Sequence, residues 1–259
     1  MTDARDAKAP SQFTIDVNAG AGSTLSFDDP GDWERATRGK IAEHPTGAIE
    51  GPMGLAWNTA DFDFLRDQED APGSVHPSLW RHGRLNAIHG LFEVTRGVWQ
   101  CRGYDLSNIT FIEGKNGWIV IDPLTTRMTA AACLELANKH LGVRPVTAVL
   151  YTHSHADHYG GILGVTSRED IEAGNVRILA PEGFLREAVS ENLLAGPVMS
   201  RRTLYQFGIL LPKGPLGHID CGLGKAIPLA QGDLIGPTEE VSITGTELDI
   251  DGVRVNFDG

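Results

Sequence analysis

The sequence predicts an α/β protein, and three observations carry that expectation. Residues 118–121 read as a strand, 126–140 as a helix and 147–152 as a second strand, which is the order of a parallel βαβ unit. From residue 91 onward, short β-rich runs are separated by turn residues such as Asn116-Gly117, a hairpin signal. Between and beyond them lie stretches whose apolar residues recur at helical spacing.

The elements follow in order. Residues 1–30 are polar, rich in Asp, Ala, Ser and Gly, and read as a loose arm. Asp32 is placed to cap a helix running through Trp33, Ala36 and Ile41 and ending before Pro45. Segment 47–77 carries many Gly, Pro and Asp, with one short helical candidate at 61–68. A helix is expected over 78–88, where Leu79, Trp80, Leu85 and Ile88 supply an apolar face. His82 and His89 have no clustered partners and read as surface or core histidines rather than ligands. Strands follow at 91–95 and 98–102 about Gly97, then at 108–113 and 118–121 about the turn 115–117. Helix 126–140 turns Met128, Ala132, Leu134, Leu136 and Leu141 inward, with Gly142 past its end. A strand is expected at 176–180 and a helix at 184–194. The stretch 199–211 is mostly apolar apart from Arg201 and Arg202, which read either as an anion grip or as a solvated face. Segment 212–237 reads as a long functional loop, and 246–257 as a hairpin about Asp251-Gly252.

The chemistry is concentrated in one place. Ala148, Val149, Leu150 and Tyr151 form a buried strand, and directly after it come His153, His155, Asp157 and His158, then Gly160 and Gly161. Residues two apart at a strand end point to the same side, so His153 and His155 can grip one cation together. Asp157 and His158 follow where the chain turns and can face a second cation. Imidazole and carboxylate at this density suit zinc, with manganese and iron as alternatives. The glycines let the backbone bend tightly beneath the ligands. Asp122, before Pro123, reads either as a partner that orients a ligand histidine or as a turn former.

The totals bound what such a site can serve. At 259 residues, with 41% hydrophobic and 22% charged residues, the chain fits one large domain or one domain with an extension. A net charge of −12 repels polyphosphate, which argues against a nucleic-acid partner. Cys101, Cys133 and Cys221 lie far apart and read as buried apolar residues, not a disulfide set. No apolar run is long enough to span a bilayer, and the first residues lack the apolar core of a signal peptide. A cytoplasmic location is the expectation, with a periplasmic or secreted one if a leader had been removed.

The pattern H-x-H-x-D-H at 153–158 resembles the signature of the metallo-β-lactamase superfamily, whose αββα sandwich holds one or two metals that activate a water for hydrolysis. Further stretches resemble one branch of it, the alkylsulfatases that hydrolyse dodecyl sulfate and related surfactants. These are H-P-S-L-W-R (76–81), L-N-A-I-H-G-L-F-E-V (85–94), R-G-Y-D-L-S-N-I-T-F-I-E-G (102–114), G-W-I-V-I-D-P-L-T (117–125), A-P-E-G-F-L (180–185), S-E-N-L-L-A-G (190–196) and M-S-R-R (199–202). The resemblance implies two zinc ions, the first on His153 and His155 and the second on Asp157 and His158, with Asp157 also counted as catalytic. It implies a small-molecule alkyl sulfate as substrate and a homodimer. After M-S-R-R the family often reads Tyr-x-Tyr-Gly along the sulfate pocket. Here Tyr205-Gln206-Phe207-Gly208 stands there, so Tyr205 and Phe207 are the candidate substrate-binding residues, with a more apolar wall at Phe207.

The family's remaining ligands, two glutamates and a histidine, lie beyond a hairpin resembling 246–257. The chain is thus expected to be the first half of the sandwich, 90–259, plus an N-terminal extension, 1–89. Glu239-Glu240, in a Pro/Gly-rich stretch, reads as solvated. On this expectation the 259 residues alone would hydrolyse little and would expose a sheet edge. The competing readings are another hydrolase of the superfamily, acting on a lactone, thioester or phosphodiester, and a non-catalytic fragment that only binds metal.

Overall fold

The computed structural model describes residues 8–27 and 29–258. Its organising element is an eight-stranded mixed sheet, in agreement with the α/β expectation.

The N-terminal part departs most from the sequence reading. Gln12–Thr24 forms a helix, α1, where a loose arm was expected; residues 1–7 and 28 of that arm lie outside the described residues. Ser11 caps α1 by accepting from the Thr14 N–H, and the Asn18 side chain donates to the Gly73 carbonyl at 2.8 Å. No α1 residue is buried, so the helix carries no apolar stripe for a sequence to reveal. Helix α2, Gly31–Thr37, starts one residue before Asp32. Asp32 is therefore no cap. It bridges Arg35 at 2.7 Å and Arg81 at 2.9 Å. The helix stops well short of Ile41 because Gly39 adopts φ 74°, a left-handed conformation incompatible with helix, and the chain enters strand β1, Lys40–Ala42. Segment 47–77 holds an unexpected hairpin, β2 (Ala48–Gly51) with β3 (Gly54–Asn58). A 3₁₀ turn, Thr59–Phe62, and α3, Phe64–Asp67, then occupy the short helical candidate. Helix α4, Pro77–Asn86, begins with proline where a missing N–H costs nothing.

Strands β4 (Gly90–Thr95), β5 (Val98–Arg102), β6 (Ile109–Glu113) and β7 (Trp118–Ile121) form an antiparallel meander. Helix α5, Arg127–Leu141, capped by Thr126, crosses back to β8, Val146–Leu150, which pairs parallel with β7. Short helices α6 (Ile162–Val165) and α7 (Arg168–Glu172) lead to β9, Arg177–Pro181, again parallel. The single helix expected at 184–194 is split into α8, Phe184–Val189, and a π turn, Ser190–Leu194, followed by α9, Gly196–Gln206. Glu240 is exposed and Glu239 partly so, as expected, but the pair does not lie in a loop. It belongs to β10, Glu239–Val241, parallel to β9, with Glu239 held by Arg177 at 2.7 Å. The sheet order is β1-β4-β5-β6-β7-β8-β9-β10. The last hairpin, β11 (Thr246–Ile250) with β12 (Val253–Phe257), stands apart from it.

Alternation along the central strands explains why both faces are covered. Trp118, Val120, Val149 and Ile178 face α5 and join one large core that runs without a break from Trp57 and Trp80 to Phe111. Ile119, Ala148, Leu150 and Leu179 face the other way and pack under Ile250 of the last hairpin. Asp251 ties that hairpin down: its carboxylate accepts from the Gly117 N–H and the Thr147 hydroxyl, each at 2.9 Å. Burial of each large apolar side chain contributes about 1.5–3 kcal/mol. All three cysteines are free. Among the described residues no helix is long and apolar enough to cross a membrane.

His89 is a core histidine, 5% exposed, with Nδ1 2.9 Å from the Ala87 carbonyl. Burial, helped by the Lys225 charge, pushes its pKa down to about 4. The folded state therefore resists protonating a group that the unfolded chain protonates near pH 6.5. Its contribution to stability is complete above that pH and is lost as pH falls through 4, at most about 2–3 kcal/mol. Urea denaturation at pH 7 and pH 4 should show the wild type losing stability relative to His89→Asn, which has no titration. Equal pH dependence of the two proteins would refute this account.

Candidate metal centre

Tyr151, the residue after β8, is 3% exposed and stacks on Phe184 with ring centroids 4.8 Å apart. This fixes the point at which the histidine loop leaves the sheet, at the carboxyl end of a parallel strand, where open α/β sheets place their sites. The loop then winds through a 3₁₀ turn, Ala156–His158.

Four loop side chains converge. His153 Nε2 lies 3.0 Å from His155 Nδ1, and the His153 and His158 rings are 4.0 Å apart. His158 Nε2 faces an Asp157 carboxylate oxygen at 3.3 Å. Asp122 joins them from the end of β7. It takes φ 54°, a left-handed conformation that aspartate tolerates better than most residues, and this turns its carboxylate beneath the loop. That carboxylate accepts from the Thr152 N–H at 2.8 Å and the Thr152 hydroxyl at 2.7 Å, and meets His158 Nδ1 at 2.8 Å.

The charges follow the contacts. Burial opposes a charge on His158, but hydrogen bonds to the Asp122 and Asp157 carboxylates outweigh it and push the pKa up to about 9. Asp157 is held below the usual carboxylate range: burial acts against this and the His158 hydrogen bond prevails. His153 is shifted down by burial and by the neighbouring His158 and His155 rings. The two carboxylates thus favour the charged form of the His158 ring, whereas burial and the neighbouring rings favour the neutral form of His153.

The donor set fits zinc. Two imidazole nitrogens 3.0 Å apart must share something, a proton or a metal. Zinc at about 2.0–2.1 Å from each would place them roughly 3.3 Å apart, a shift of a few tenths of an ångström. Among the described residues the donors meet in pairs, and no three His, Cys, Asp or Glu side chains stand together in the geometry of a formed centre. Tyr205 is not part of the cluster: it is 88% exposed on α9, while Phe207 is half-buried at the end of that helix.

Sequence reasoning missed the groups that hold the loop. The Ser107 hydroxyl donates to the Asp157 carbonyl. Asp105, 2% exposed, accepts from the Thr125 N–H at 3.1 Å and from the Thr125 and Thr129 hydroxyls at 2.5 and 2.6 Å. Burial raises the Asp105 pKa to about 6, because those hydrogen bonds only partly replace water. Glu191, from the π turn, lies 3.8 Å from His155 Nε2. Ser107 and Asp105 fall within the stretch 102–114, but nothing local in that run announces what they touch.

Residues 102–245 match the model of the metallo-beta-lactamase superfamily. The chain is 44% identical over 255 residues to a linear primary-alkylsulfatase of Pseudomonas sp, covering 98% of this chain and 38% of that protein. It is 45% identical over 252 residues to the alkyl/aryl-sulfatase BDS1 of Saccharomyces cerevisiae, covering 97% of this chain and 39% of that one. The solved stereoselective inverting sec-alkylsulfatase Pisa1 from Pseudomonas sp. superposes with a TM-score of 0.93 at 41% identity, over 99% of this chain and 40% of that chain. The chain therefore spans about two fifths of the length of the relatives it matches.

Proposed function

Because the chain belongs to the metallo-beta-lactamase superfamily, we propose that it is the metal-loop portion of a zinc-dependent hydrolase that cleaves alkyl sulfate esters to alcohol and sulfate. The observation that carries this reading is the 44–45% identity to alkylsulfatases over 97–98% of the chain, with the histidine loop inside the aligned region. His153 and His155 are assigned to one zinc, Asp157 and His158 to a second. Asp122 holds the His158 ring through Nδ1, which leaves Nε2 facing inward, the usual arrangement of a carboxylate behind a metal-bound histidine. Zinc there would supply positive charge for the sulfate oxygens and make water a stronger nucleophile at neutral pH. Tyr205 and Phe207 are assigned to the wall that receives the alkyl tail, and the active protein is taken to be a homodimer.

The tail gives a direct test. Each buried CH₂ is worth about 0.8 kcal/mol, or up to about fourfold in kcat/KM, until the apolar wall is filled. In the protein carrying this chain, kcat/KM on alkyl sulfates of rising length should climb and then level. A flat profile, or faster turnover of a lactone or a β-lactam, would assign the protein to another hydrolase of the superfamily.

A further inference from the structure

The long segment 212–237 contains no helix or strand, yet at one point it closes on the histidine loop. The Asp233 N–H donates to the Gly160 carbonyl at 2.7 Å. Its carboxylate, with 6% side-chain exposure, takes Nε and Nη2 of Arg127 in a two-point ion pair. Arg127 is the first residue of α5, and its own N–H reaches the Gln231 carbonyl at 3.4 Å. Three backbone stretches are thus stacked: 123–127, 160–161 and 231–233.

The stack leaves no room between its layers. A Cβ on Gly160 would sit 2.2 Å from the Thr125 carbonyl oxygen, one on Gly161 2.0 Å from that of Pro123, and one on Gly232 2.7 Å from that of Thr125. The Gly161 N–H also donates to the Leu124 carbonyl at 2.9 Å. Gly160 and Gly161 follow His158 after a single residue, Tyr159, so whatever fixes their backbone constrains where the loop's last two donors stand. The Gly160 carbonyl itself is held by the Asp233 N–H.

We infer that the Arg127–Asp233 ion pair is a latch that clamps segment 231–233 onto Gly160, and that Asp233 is a positioning residue for Asp157 and His158. A bidentate guanidinium–carboxylate pair suits this task because it fixes orientation as well as distance. The part concerning Asp157 and His158 rests on the zinc reading given above; the latch itself does not.

The test uses the zinc-loaded protein, Asp233→Asn and Arg127→Lys. The second variant shortens the pair without leaving a lone buried charge, and serves if the first does not fold. Amide exchange at Gly161 and Asp233 should accelerate about tenfold or more in either variant. Zinc affinity, read by competition with a chromogenic chelator, should weaken about tenfold, the usual scale for a group that supports a metal ligand from behind. Unchanged exchange at both amides overturns the latch. Faster exchange with zinc affinity within twofold of wild type overturns the positioning role. If the wild type takes up no zinc, the zinc reading falls while the exchange rates still decide the latch.

Discussion

Replacing His155 by alanine should strip the proposed zinc from the protein. The expectation rests on how few donors meet. His155 Nδ1 and His153 Nε2 face each other at 3.0 Å, and the second pair, Asp157 and His158, is assigned in the proposal to the neighbouring ion. A zinc site that works normally keeps three protein ligands and an open position. Losing a partner behind a ligand already costs about 10–100-fold in affinity, so losing a ligand itself should exceed about 100-fold. Elemental analysis after dialysis reads this directly, and unchanged zinc content would remove His155 from the site. Since imidazole must be neutral to bind metal, and against burial the Asp122 and Asp157 carboxylates push the His158 pKa up to about 9, protons should compete at that ligand and wild-type occupancy should decline as pH falls below 9.

Gly161→Ala should be among the most damaging single methyl groups that can be added to this molecule. The new Cβ would lie 2.0 Å from the Pro123 carbonyl oxygen and 2.7 Å from both the Ala130 Cβ and the Thr126 carbonyl oxygen. All of these are backbone or short side-chain atoms, so nothing can swing aside. Relief requires the loop to lift away from the start of α5. Overpacking of this kind costs about 3 kcal/mol, the top of its usual range. Gly20→Ala in α1 is the control: nothing stands within 4 Å of its Cβ, and the substitution should be neutral or stabilise by about 0.5–1 kcal/mol. Thermal unfolding of the two variants should therefore move in opposite directions from wild type, or one alone should fall. A Gly161→Ala protein as stable as wild type would mean that the stack of backbones is looser than described.

What could be read from sequence was whatever is written locally. The β7–α5–β8 unit announces itself through apolar spacing, the Thr126 cap and Gly142, and the meander through its turns. The hairpin at 246–257 shows both alternation and an Asp-Gly turn. Helix α1 was invisible because none of its residues is buried, and its Gly20 and Gly22 weigh against helix. Strand β10 was invisible because Glu239 earns its place by pairing with Arg177 and by hydrogen bonding to β9, not by being apolar. The same holds at the metal centre. The donors are adjacent in sequence and stand out, whereas Ser107 meets Asp157 across 50 residues and Asp233 meets Arg127 across 106. Partners at that distance leave no periodicity or motif behind.

That separation also sets an order of events while the chain is being made. The histidine loop is fully synthesised about 70 residues before Asp233. At the usual pace of translation this is a delay of some seconds, far longer than a helix or hairpin needs to form. During that interval β8 and α5 can assemble, but Gly160 has only one of its two neighbours. Closing the second contact means ordering a long connection first, an entropic cost that local elements do not face. The donors consequently become rigid only after residues 231–233 have been made. On the proposed zinc reading, metal that arrives early would meet a loose loop and exchange freely, and durable loading would wait for residues 231–233 to dock.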